Sequence, residues 1–150
     1  MSELRTLYQE VILDHNKSPR NFKKLPDASG SAEGYNPLCG DQYTIYVKLE
    51  DGIIKDIGFQ GSGCAISKAS ASVMSSVLKG KTRAEAEKLF EKFHTLVMGK
   101  VDAMANIDEL GKLAAFSGVS EFPARVKCAT LAWHTMRGAL DVKEERVSTE

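Results

Sequence analysis

The chain has 150 residues and balances 20 basic against 20 acidic side chains, so it lacks the positive field that gathers phosphate backbones or anionic lipid, and nucleic acid is not an expected partner. Hydrophobic residues at 43% and charged residues at 27% sit near the averages for globular domains, which excludes a disordered or fibrous chain. No apolar run approaches the ~18 residues of a membrane span.

The start, Met1-Ser-Glu-Leu-Arg, has neither the basic end nor the apolar stretch of a secretion signal. Three cysteines cannot all pair internally, so a reducing, cytoplasmic setting is expected. After Ser2, a residue suited to capping, Leu4, Tyr8, Val11, Ile12 and His15 recur at helical spacing and predict an amphipathic helix ending before Pro19. Residues 22 to 38 hold Pro26, Gly30, Gly34 and Pro37 among polar neighbours and read as a connecting loop that delivers Cys39 and Asp41.

Alternation then sets in: Tyr43, Ile45, Val47 and Leu49 share one face of a predicted strand. Asp51-Gly52 supplies hairpin turn chemistry, and Ile53, Ile57 and Phe59 continue on a second, antiparallel strand. Gly61-Ser-Gly-Cys64 leads into a helix carrying Ile66, Ala69, Val73 and Val77, which stops at Gly80. Thr82 with Glu85 makes a capping box for a helix to about residue 97, and a further helix is expected over about 107 to 116. After Pro123 a helix runs through Trp133 to Leu140 with Cys128 in its first turn, and the charged tail 143 to 150 is expected to fray. Strands followed by helices predict one α+β domain over residues 1–150, a small antiparallel sheet of about three strands packed against helices.

The chemistry concentrates on Cys39, Cys64 and Cys128, with Asp41 two positions after the first. Three sulfurs and a carboxylate from three segments would match the tetrahedral donor set of zinc. A predicted helix start beneath Cys64 and Cys128 favours the thiolate, the form that binds metal and attacks sulfur. The plain alternative is three small buried hydrophobes. Against it stand Asn36-Pro-Leu-Cys39-Gly-Asp41 and Gly61-Ser-Gly-Cys64, loop sequences suited to exposing a sulfur. A zinc ion among three thiolates and a carboxylate leaves two negative charges unbalanced, for which Arg125 and Lys127 are the nearby cations in sequence.

His15, His94 and His134 are expected to serve packing or the surface; His134, six residues after Cys128, projects to another helix face. The serines from Ser67 to Ser76 have no nearby histidine base and fit close helix packing. Asp14-His15 and Pro19-Arg20-Asn21 read as a helix end and a turn, with a docking role as the alternative.

Asn36-Pro-Leu-Cys-Gly-Asp41, Gly61-Ser-Gly-Cys-Ala-Ile-Ser67 and Arg125-Val-Lys-Cys-Ala-Thr-Leu-Ala-Trp133, in that order, resemble the U-type iron–sulfur cluster assembly proteins (IscU and the NifU N-terminal domain). The chain looks most like their SufU branch. Lys127 precedes the last cysteine where the scaffold branch has a histidine, and a helical insertion of about 20 residues, around 99–121, precedes Phe122. The resemblance implies zinc held by Cys39, Asp41, Cys64 and Cys128, supported by Arg125 and Lys127. It also implies a sulfurtransferase role, in which Cys39 accepts persulfide sulfur from a SufS-like cysteine desulfurase for the downstream iron–sulfur assembly machinery. The alternatives are a scaffold on which iron or a transient [2Fe–2S] cluster is held by the same residues, and a zinc that only holds the fold together.

Overall fold

The computed structural model describes residues 2–38, 40–101, 107–141 and 146–148, and only the backbone of residues 2–5, 107 and 146–148. Expectations for the side chains of Ser2 and Leu4, and for residues 143–145 and 149–150 of the tail, lie outside the described residues. The first helix, α1, spans Ser2–Lys17 and stops just before Pro19, with Val11, Ile12 and His15 turned into the core as its periodicity predicts.

Residues 22–38 are not the continuous loop expected, because Gly30–Asn36 forms a strand, β1. Its inward positions are Ala32, Gly34 and Asn36, so the alternation is present but carries almost no hydrophobic signal. Helix contact explains the choice of residues: a Cβ on Gly34 would collide with Thr135 Oγ1 and come within 3.1 Å of Leu131. The strand is small because a later helix crosses it closely.

The predicted hairpin is present as β2, Asp41–Glu50, and β3, Ile53–Ser62, with Asp51 and Gly52 both at positive φ in the turn. The register shifts between Lys48 and Leu49, which pair with Asp56 and Ile54, so Lys55 is an extra residue. That bulge lets Ile54 and Ile57, three apart, both enter the core. Strands β1, β2 and β3 form an antiparallel meander, so the expected sheet of about three strands is present with its third strand drawn from the segment read as a loop. A fourth strand, β4, Arg146–Ser148, adds parallel to β1 and replaces the frayed tail at those residues, giving the order β3-β2-β1-β4. The outer side of β3 is covered by non-strand segments: Phe59 N–H donates to the Asn21 carbonyl, Ile54 N–H to that of Lys81, and Gly80 N–H to the Ile54 carbonyl.

Helix α2, Ala65–Leu78, packs against β3, and α5, Pro123–Leu140, lies across β1 and β2 beside α2. Tyr43, Ile45, Val47, Ile54, Ile57 and Phe59 from the sheet are all buried in the core. Helix α1 packs directly on α2 and α3 (Arg83–Val97) on α5, and residues 111–121 lie against α1, α3 and α5. The capping box of α3 is formed as predicted by Thr82 and Glu85. Only Ile107–Leu110 (α4) is α-helical in the next segment; Gly111, at φ +53, ends it, and Gly111–Glu121 continues as a 3₁₀ helix. Trp133 of α5 stacks on Phe90 and Phe93 of α3, and Phe116 of the 3₁₀ helix meets Phe93 edge-on.

Buried Ser70, Ser72 and Ser75 tie α2 to its neighbours by hydrogen bonds. Ser70 Oγ donates to the Ala129 carbonyl of α5. Ser72 Oγ accepts the Arg20 N–H and lies 2.7 Å from His15 Nδ1, and Ser75 Oγ receives the Asn21 side-chain amide. His15 is 2% exposed. Burial, helped by the Arg20 and Lys112 charges and opposed by Asp14, pushes its pKa from 6.5 down to about 4. Unfolding therefore takes up a proton at this residue between those values, so its contribution is complete above pH 6.5 and fades as pH falls toward 4. Denaturant unfolding should show stability falling across that interval by on the order of 3 kcal/mol for this group. His15→Leu should flatten that part of the slope; an unchanged pH profile would refute the assignment.

Candidate metal centre

Asn36, the last residue of β1, pairs in register with Asp41, the first of β2. The connection between them turns back through Gly40, at φ +72, whose N–H donates to the Asn36 carbonyl at 2.8 Å. Cys39, in that connection, lies outside the described residues. Asp41 is 0% exposed. Its carboxylate is held at both oxygens: Oδ1 accepts the Cys64 N–H at 2.8 Å and Oδ2 the Asn36 side-chain amide at 3.2 Å.

Cys64 caps α2, and its sulfur accepts the Ser67 N–H at 3.4 Å. The Ser67 hydroxyl lies 3.6 Å from the same sulfur and 3.1 Å from the Tyr43 hydroxyl. Hydrogen bonding with Cys128, followed by that with the Ser67 N–H and hydroxyl, holds the Cys64 thiol below its ordinary pKa, while burial and the Asp41 charge oppose the shift. Burial, with the charges of Asp41, Cys64 and Cys128, pushes Tyr43 well upward against its hydrogen bond to Ser67, so this phenol stays protonated. Cys128 is buried beyond the first turn of α5, not within it as expected. The helix-start address therefore belongs to Cys64 alone, because α5 begins at Pro123.

The structure gathers Asp41, Cys64 and Cys128 so that their ligand atoms all lie within 4.8 Å of one another. A tetrahedral zinc with bonds near 2.0–2.3 Å wants its donors roughly 3.5–3.8 Å apart. Side-chain movements of about 1 Å would close the set, and two sulfurs with a carboxylate fit a borderline-soft divalent ion. Of the expected supporting cations, Arg125 is exposed with its guanidinium 4.4 Å from the Phe122 ring centre. Lys127 is half-buried, and among the described residues neither makes an ion pair with Asp41. Arg20 pairs with Asp14 at 2.7 Å, and the Arg20 N–H and the Asn21 side-chain amide donate to Ser72 and Ser75, so that motif holds the turn onto α2.

Asn36, Tyr43 and Ser67 were not legible as parts of the centre. Ser67 stands three residues after Cys64, where a helix cap receives its N–H bond, and Asn36 opens the motif that ends in Asp41, whereas Tyr43 reads only as a core residue of its strand.

Residues 7–129 match the NifU-like N terminal domain model. The chain belongs to that family. A relative in Bacillus subtilis, named a zinc-dependent sulfurtransferase SufU, is 44% identical over 144 residues, 96% of this chain and 95% of that protein. An iron–sulfur cluster assembly scaffold protein IscU of Thermotoga maritima is 41% identical, covering 91% of this chain and 94% of its own. The crystal structure of an iron–sulfur cluster assembly scaffold protein for the SUF system of Fervidobacterium islandicum superposes with a TM-score of 0.81 at 36% identity, over 91% of this chain and 98% of that one. The SufU-type resemblance read from the motifs therefore holds, and this NifU-like domain is one of the SufU and IscU group of iron–sulfur cluster assembly proteins. No helix among its described residues is long and apolar enough to cross a membrane.

Gly63 decides how tightly this NifU-like site closes. A Cβ there would stand 2.5 Å from Asp41 Oδ1, 2.6 Å from Ser67 Oγ and 2.8 Å from the Tyr43 hydroxyl. Gly63→Ala should break the Asp41 bond to the Cys64 N–H and cost the metal-free protein about 1–3 kcal/mol. Urea unfolding and the Cys64 amide resonance read the outcome; wild-type values in both would contradict the close approach.

Proposed function

We propose that this protein is a zinc-dependent sulfur acceptor, taking persulfide sulfur from a cysteine desulfurase and delivering it to iron–sulfur cluster assembly in the cytoplasm, with residues 1–150 acting as one domain. The observation that carries the reading is the approach of the Asp41, Cys64 and Cys128 ligand atoms to within 4.8 Å. Cys39, from the connection between Asn36 and Asp41, is the fourth ligand in this proposal. Bound zinc supplies charge that holds the thiolates ionised and, lacking redox chemistry of its own, protects them from oxidation.

Cys39 is the acceptor. Cys64 is anchored as a helix cap and Cys128 sits inside a helix, whereas Cys39 follows Pro37-Leu38 and precedes Gly40 in a connection between strands. With zinc held by Asp41, Cys64 and Cys128, a donor group from the docked desulfurase would stand in for Cys39 in the ligand set and leave its thiolate free. The released Cys39 thiolate attacks the outer sulfur of the desulfurase persulfide, a new S–S bond forms on Cys39, and the old S–S bond breaks with its electron pair leaving on the desulfurase cysteine. Asp41, Cys64 and Cys128 keep the centre closed meanwhile. Arg125, exposed on the first turn of α5, and Lys127 offset the negative charge of the ligand set during docking.

A second reading is a scaffold that builds a [2Fe–2S] cluster on the same four residues. It is favoured by the Thermotoga maritima relative, named a scaffold, whose identity is close to that of the SufU relative. Thiolate and carboxylate donors suit iron as well as zinc.

The two readings separate on one preparation. Stoichiometric zinc, a colourless solution and desulfurase turnover that rises when this chain is added are expected; an absorbing cluster with unstimulated turnover would establish the scaffold instead. Cys39→Ser should abolish the stimulation, and full transfer by that variant would overturn Cys39 as acceptor. Removing zinc with a chelator should lower the melting temperature, because an ion bound only by the folded chain adds its binding free energy to stability. An unchanged melting temperature with metal loss verified would contradict the ligand set.

A further inference from the structure

We propose that Asn36 is a positioning residue of the metal centre, its side-chain amide orienting both the Asp41 carboxylate and the Cys128 sulfur while its carbonyl oxygen fixes the turn toward Cys39. The inference rests on the metal-binding reading above and adds a residue that does not itself coordinate.

Asn36 is 0% exposed, and a buried amide must spend its two donors and its acceptor on partners. Its Nδ2 lies 3.2 Å from Asp41 Oδ2 and 3.6 Å from Cys128 Sγ, one proton available for each. Its Oδ1 accepts the Leu38 N–H at 3.2 Å, and its backbone carbonyl accepts the Gly40 N–H. The Leu38 N–H needs an acceptor, so the oxygen must face the turn and the NH₂ must face the donor atoms. One side chain thus ties β1, the start of β2, α5 and the connection containing Cys39.

The chemical consequence follows from the lone pairs. Asp41 Oδ1 is committed to the Cys64 N–H and Oδ2 to Asn36, so the carboxylate cannot rotate and presents its remaining lone pairs in a fixed direction. A hydrogen bond to the Cys128 sulfur likewise fixes that sulfur and withdraws some of its charge. Partners of this kind orient ligands, and losing one typically weakens a site by 10–100-fold. Aspartate at position 36 would set a second carboxylate against Asp41, serine would be too short to reach both partners, and leucine would fill the space without donating.

The test is zinc affinity by competition with a chromophoric chelator, together with the absorption bands of the cobalt-substituted protein, for wild type, Asn36→Leu and Asn36→Ala. Both variants should bind zinc roughly 10–100-fold more weakly, and the cobalt ligand-field and thiolate charge-transfer bands should shift, which a residue serving the fold alone would not cause. A third measurement needs no variant: the Asn36 side-chain amide resonances of the wild type should move on zinc addition. Unmoved resonances overturn the proposal even if the variants fail to fold, as do variants with wild-type affinity and spectrum. Failure of the wild type itself to bind zinc would instead sink the metal-binding reading.

Discussion

The buried Asp41 carboxylate is the constraint on which the rest depends. A carboxylate removed from water must have its oxygens satisfied, because an unpaired buried charge costs several kcal/mol. Here the partners come from elsewhere in the chain, the Cys64 N–H at the start of α2 and the Asn36 amide at the end of β1. Satisfying Asp41 therefore fixes how the hairpin end meets the helix start, and the two places where sulfur is needed are brought together as a by-product.

Close backbone approach makes those bonds possible. Gly63 leaves room for the Asp41 oxygen and the Ser67 and Tyr43 hydroxyls, and Gly34 lets Thr135 and Leu131 of α5 press onto β1. The second contact seats α5, which carries Cys128 to the site. The surrounding core, from Ile45 and Phe59 of the sheet to Trp133 stacked on Phe90 and Phe93, makes the placement rigid. Rigid support beneath Cys64 and Cys128, with the third cysteine on a connection between strands, is an arrangement suited to holding an ion while exchanging one ligand.

Much of this was legible in the residues. The alternation from Tyr43 to Leu49, the Asp51-Gly52 turn and the Thr82–Glu85 capping box each have a local physical cause, and each is found where expected. Strand β1 was missed because its inward residues, Ala32, Gly34 and Asn36, are small or polar for the sake of a helix 100 residues away, a reason that no local window contains. Missing that strand also hid the pairing of Asn36 with Asp41. The helix expected over 107 to 116 keeps Leu110, Leu113 and Phe116 inside but winds as a 3₁₀ helix from Gly111, since periodicity reports burial better than it reports hydrogen-bond pattern. Cys128 falls in the second turn of α5 because the helix starts at Pro123 itself, where a proline fits the first helical position, and not nearer Arg125.

The sheet's two margins are protected by different means. Along β3, single hydrogen bonds from the Asn21, Gly80 and Lys81 segments occupy polar groups that would otherwise face solvent. Along β1 the cover is a true strand, β4, contributed by the far end of the chain. Left unpaired, the β1 margin would present a row of free backbone donors and acceptors, with which an added strand can pair. Residues 146–148 thus take up backbone groups of the very strand that ends in Asn36, and the sheet's margin on that side passes from β1 to β4.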